Sequence, residues 1–126
     1  MEKKILFVDL DGTLLDDNKD ITAENLEAIQ KATEAGHAVV VTTGRPLYST
    51  VYQLEKLHMD KPGCYAITSN GALIYDAHTK EIIFQTGVDK NCIREAFDEA
   101  YKFGLHPQTY SDHGVLCERE DPEIQY

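Results

Sequence analysis

Asp9 and Asp11 stand two residues apart at the end of an apolar run, Ile5-Leu6-Phe7-Val8, that reads as a buried strand. On an extended chain, residues at i and i+2 face the same side, so both carboxylates project together while Leu10 between them turns to the core. Gly12 allows a sharp turn where the strand stops. Such a pair has three chemistries open to it. It can ligate Mg²⁺ through hard oxygen. One carboxylate can attack phosphorus and carry an aspartyl phosphate. The other can serve as general acid and then base. Strand carboxyl ends are where open α/β sheets place their ligands. Gly12-Thr13 and, further on, Thr43-Gly44 are spaced to bring N–H and O–H donors to phosphate oxygens there.

The elements that must hold these residues are legible from pattern. After the polar stretch 16–20, Thr22 is a good helix N-cap, with Ile21 and Leu26 as a hydrophobic staple and Gly36 as the stop. Ala38-Val39-Val40-Val41 reads as a strand covered on both faces. Strand, helix, strand is a βαβ unit with a parallel sheet. That second strand runs into Thr43-Gly44-Arg45, and Pro46 suits the first position of another helix whose buried stripe is Leu47, Val51, Leu54 and Leu57. A third strand spans 64–68. Asn70-Gly71 then marks a turn into short strands at 72–75 and 81–85.

The pattern changes near Gly87. Asp89 caps a helix to Phe103, with Ile93, Ala96, Phe97, Ala100 and Tyr101 on one face and Gly104 as terminator. Two short strands at 107–110 and 114–118 follow, and the stretch 121–126 offers no closing element. The division expected is therefore a core over 1–86 and the opening of a second, α+β domain over 87–126.

Composition excludes several partners. The chain of 126 residues carries a formal charge of −10, with its Lys and Arg scattered, which argues against nucleic acid and against an anionic membrane surface. The N-terminal apolar run is too short for a signal peptide core or a membrane span, so a cytoplasmic location is expected. Cys64, Cys92 and Cys117 show no paired spacing, against a disulfide framework or a zinc site.

Three motifs in order carry a resemblance. Asp9-Leu10-Asp11-Gly12-Thr13-Leu14 resembles the first signature of the haloacid dehalogenase superfamily, and Thr43-Gly44-Arg45 its second. Ser69-Asn70-Gly71-Ala72 is similar to a landmark of the Cof-like sugar-phosphate phosphatases within it. The resemblance implies a three-layer Rossmann-like α/β core and a cap inserted near Gly87. It also implies a Mg²⁺-dependent phosphomonoester hydrolase acting on a small phosphorylated metabolite.

On that resemblance Asp9 is the nucleophile, with one oxygen on the metal. Asp11 is the acid and base, with its carbonyl on the metal. Thr43 holds the phosphoryl group, and Arg45 and Asn70 stand at the rim. The family's third-motif lysine and fourth-motif acids lie beyond the cap, so this chain resembles the first half of such an enzyme and is expected to be weakly active or inactive alone. Two other classes stay open: a non-catalytic interaction module, and a receiver-like domain phosphorylated on aspartate. Sheet edges left open would favour homo-oligomers.

Overall fold

A computed structural model describes residues 2–118. Their contacts divide the chain at Thr86/Gly87 into two compact units. In the first, β1 (Ile5–Asp9), β2 (Ala38–Thr42), β3 (Cys64–Thr68), β4 (Leu73–Asp76) and β5 (Glu81–Gln85) form one sheet in that order. β1, β2 and β3 are parallel, as the βαβ reading requires. β4 and β5 run antiparallel to their neighbours, so the sheet is mixed rather than wholly parallel. The reason is local: the connection Ser69–Gly71 is a single 3₁₀ turn, far too short for the crossover a parallel partner needs. Both β4 and its turn sit within a residue of their expected places.

Helices α1 (Ala23–Glu34) and α2 (Leu47–Lys56) fill the two crossovers. Thr22 caps α1 by accepting the Asn25 N–H at 3.3 Å. Its far end is closed by Gly36 at φ 81° and by His37 N–H donating to the Ala32 carbonyl, a Schellman arrangement. Pro46 proves to be the N-cap of α2, one position before the expected first helical residue, and its carbonyl accepts the Thr50 N–H and hydroxyl.

Ile29 of α1 and Leu54 of α2 join Val39, Val41, Cys64 and Ala66 in one buried cluster with Leu10, Leu14 and Leu15. Register explains the choice: Val41 pairs with Ala66 and Val39 with Cys64, so these side chains share one sheet face, and both helices cover it. Within the first unit no described helix covers the other face, so that unit shows one helical layer of a three-layer sandwich. That face carries Ile5 and Phe7 at the free edge, each 60 % exposed. An apolar edge strand is a template for pairing. We therefore expect concentration-dependent self-association that Phe7→Lys suppresses, read by sedimentation equilibrium. Equal association of the variant would take β1 out of the contact.

The second unit holds α3 (Lys90–Lys102) and a small antiparallel pair, β6 (Thr109–Tyr110) with β7 (Val115–Leu116). Asp89 caps α3 by accepting the Asn91 N–H, and Phe97 packs edge-on to Tyr101. The expected apolar stripe is only half-buried: no residue of α3 is fully buried among the described residues. The stretch 121–126 lies outside them.

Candidate functional site

The carboxyl ends of β1, β2 and β3 bring the predicted residues to one pole of the sheet. Asp9 is the last residue of β1 and pairs in register with Thr42. Leu10 is fully buried, and its carbonyl accepts N–H groups from Thr13, Leu14 and Leu15, which winds the chain into a tight loop. Gly12 sits in this loop at φ 76°, a left-handed backbone that favours glycine, with open space where a Cβ would stand. Conformation and not crowding demands glycine there. Thr13 is exposed, but its N–H is committed to Leu10, so its hydroxyl is the donor it has left to offer.

The two carboxylates live in different surroundings. Asp9 is exposed, and its carboxylate has no hydrogen-bond or ion-pair partner among the described residues, while its backbone carbonyl accepts the Leu14 N–H. Asp11 is gripped. Arg45 donates from Nε to Oδ2 and from Nη2 to Oδ1, both at 2.7 Å, as a two-pronged fork. Lys19 Nζ adds a third donor to Oδ1 at 2.8 Å. The Arg45 hydrogen bonds, outweighing partial burial and aided by Lys19, hold the Asp11 carboxyl well below the usual carboxylate range. Asp11 is thus ionised in this arrangement.

Thr43 and Asn70 are also drawn together. The Asn70 N–H donates to the Thr43 carbonyl at 3.4 Å, and the Ser69 N–H to the Arg45 carbonyl at 2.9 Å, so the loops after β2 and β3 are tied. Buried Thr43 accepts the Arg45 N–H on its hydroxyl oxygen. Gly44 makes this approach possible. A Cβ there would stand 2.9 Å from Asn70 Oδ1, so any side chain requires that amide to move. Gly44→Ala is therefore expected to push the exposed Asn70 amide aside and leave the thermal midpoint almost unchanged. The Asn70 amide resonances in an NMR spectrum would move, and an unshifted Asn70 would contradict this contact.

Two residues entered the site without having been singled out. Lys19 comes back from a loop in which the Asn18 and Asp20 N–H groups both bond to Asp16 Oδ1. Asn25, in the first turn of α1, donates from Nδ2 to the Thr13 and Leu14 carbonyls and anchors the acid loop to the helix. Local pattern offers no signal for either, because both contacts depend on how the loop folds back.

As a holder for Mg²⁺ the site is partial. The free, hard-oxygen Asp9 carboxylate suits that ion, whereas both oxygens of Asp11 are already occupied by cations, leaving only its backbone carbonyl as a ligand. No cluster of three acidic, His or Cys side chains able to hold a metal occurs among the described residues. No helix among them is long and apolar enough to cross a membrane.

Comparisons with known proteins bear on the family and the fold. The chain is 35% identical to a pyridoxal phosphate phosphatase of Escherichia coli, covering 94% of this chain and 42% of that protein. It is 34% identical to a 5-amino-6-(5-phospho-D-ribitylamino)uracil phosphatase of Bacillus subtilis, over 90% of this chain and 37% of that one. The crystal structure of a haloacid dehalogenase-like hydrolase from Bacteroides thetaiotaomicron superposes with a TM-score of 0.85 at 28% identity, over 96% of this chain and 46% of that one. The chain thus spans about two-fifths of the length of the curated relatives it matches. With a family model matching residues 6–126, and these relatives, the chain belongs to the haloacid dehalogenase-like hydrolases.

Proposed function

We propose that the chain carries the nucleophile and acid–base half of a Mg²⁺-dependent phosphomonoester hydrolase acting on a small phosphorylated metabolite. The observation that carries this is the contrast between the two acids: Asp9 free at the strand end, Asp11 fixed by Arg45 two residues on. The Asp9 carboxylate, with no side chain on either oxygen among the described residues, has an oxygen open for attack on phosphorus.

In this reading a carboxylate oxygen of Asp9 forms a bond to phosphorus as the ester P–O bond breaks. Asp11 gives the departing alkoxide its proton, then takes one from the water that attacks the aspartyl phosphate, and inorganic phosphate leaves. In the geometry described Asp11 is in its base form, ready for the second half; the first half requires it to carry a proton. Thr43 and Asn70 frame the phosphoryl group from the neighbouring loops, with Gly12 and Thr13 on the near side. Bound Mg²⁺, held by Asp9 and the Asp11 carbonyl, would offset phosphoryl charge.

The second unit is read as the opening of a cap, supported by its own helix and strand pair. An open β1 edge supports a homo-oligomer, and the phosphatases among the relatives support a small phosphorylated substrate. The test is p-nitrophenyl phosphate turnover by the product of the complete reading frame, with and without Mg²⁺. Metal-dependent release of nitrophenol is expected. No turnover under either condition would end the hydrolase reading.

A further inference from the structure

Asp11 carries two cations. The Arg45 fork alone reaches both of its oxygens, and the Lys19 ammonium is a second cation on the same group. Lys19 thus brings an exposed positive charge to the acid pair of a chain that is acidic overall.

The two cations are not equivalent. The Arg45 side chain is 26% exposed and its planar fork fits the carboxylate with two parallel bonds, an arrangement that resists displacement. Lys19 is 61% exposed, with a flexible stem and a compact charge that can turn to any acceptor nearby. An ion pair that exposed adds almost nothing to stability. Yet Lys19 is held at φ 65°, a left-handed backbone that is costly for a residue with a side chain. Its loop is pinned by two N–H bonds to Asp16 Oδ1 and by its own N–H to the Asp16 carbonyl. Lys80, at φ 61° after a turn in which Asp76 Oδ1 likewise accepts two N–H groups, shows that this backbone belongs to the turn; what sets Lys19 apart is that its ammonium reaches the acid pair.

We propose that Lys19 is a phosphoryl-binding residue: its ammonium rests on Asp11 Oδ1 when the site is free and transfers to a phosphoryl oxygen of the bound monoester, leaving one cation fewer on the carboxylate that must carry a proton. This rests on the hydrolase reading and adds to it a cation supplied by the loop after the acid pair. The transfer exchanges a monoanionic partner for a dianionic one and makes or breaks no covalent bond. An anion with less charge gains less from it, so the site should prefer a phosphate dianion to a neutral or singly charged mimic.

The probe is orthophosphate, titrated calorimetrically into the 126-residue chain at fixed pH and ionic strength. Lys19→Met should weaken phosphate binding about tenfold, and Lys19→Arg should restore it to within roughly threefold. The thermal midpoint should stay unchanged in both. Lys31→Met, which removes the same charge from a surface pair with Glu27, should bind as the unaltered chain does. Equal affinity of the Lys19→Met and unaltered chains overturns the proposal and leaves the hydrolase reading standing. Equal weakening by Lys31→Met also overturns it, since a general loss of charge then suffices. If the unaltered chain binds no phosphate, the proposal falls, and the turnover assay decides the hydrolase reading separately.

Discussion

Asp9→Asn is expected to lower phosphatase turnover of the complete protein by roughly 10⁴-fold or more, with no measurable change in its melting temperature. The substitution keeps size and shape but replaces the anionic carboxylate proposed as nucleophile with a neutral amide. The lack of a stability cost follows from the surroundings of Asp9, which is exposed and makes no side-chain bond among the described residues. Surface changes away from caps, cores and networks stay within about 0.5 kcal/mol. Asp11→Asn makes the instructive contrast. It breaks the Arg45 fork and the Lys19 contact together, so rate and stability should fall in company. Initial rates with p-nitrophenyl phosphate, paired with calorimetric melts, separate the cases. A surviving rate in Asp9→Asn would remove it from the role of nucleophile.

Leu10→Ala is expected to cost about 3 kcal/mol, within the range of 2–5 kcal/mol for emptying a buried leucine site. Leu10 is 0% exposed and sits in the main cluster with Leu14, Leu15 and Val41. For a domain whose whole stability is of order 5–15 kcal/mol, that is a large share. Its position gives the loss a second consequence, because the same residue fixes the direction in which its two acidic neighbours point. Leu10→Met, close in volume, should cost less than about 1.5 kcal/mol. Urea unfolding of the two variants provides the measurement; similar midpoints for both would mean the site collapses around the cavity.

Much of this was readable from the chain itself. β2 stood out because four consecutive apolar residues, Ala38 to Val41, are all buried in the middle of the parallel half. α1 was legible at both ends, since Thr22 and Gly36 each satisfy terminal backbone groups by local chemistry. The acid pair, Thr43-Gly44 and Asn70 could be located because strand ends and turns have short-range signatures. What escaped was long-range. The span from Asp11 to Arg45 crosses a whole βαβ unit, and nothing in Thr43-Gly44-Arg45 says which acid its arginine will meet. Gly44 carries no sign that an asparagine in another loop will pack against it. The antiparallel turn of the sheet at β4 was half visible in Asn70-Gly71, whose turn signal pointed to a hairpin while the βαβ pattern pointed to parallel strands.

The one-sided pairing of β1 among the described residues has a bearing on which part of the 126-residue chain opens first. A strand bonded to a single neighbour within the described residues can detach in local openings that cost less than unfolding the whole sheet. Asp9 is the last residue of that strand, so each such opening would move the proposed nucleophile while β2, β3 and their helices remain in place. In hydrogen exchange the β1 amides should then be replaced before those of β2. Under mild denaturant, orthophosphate binding by the chain should be lost ahead of its helical signal.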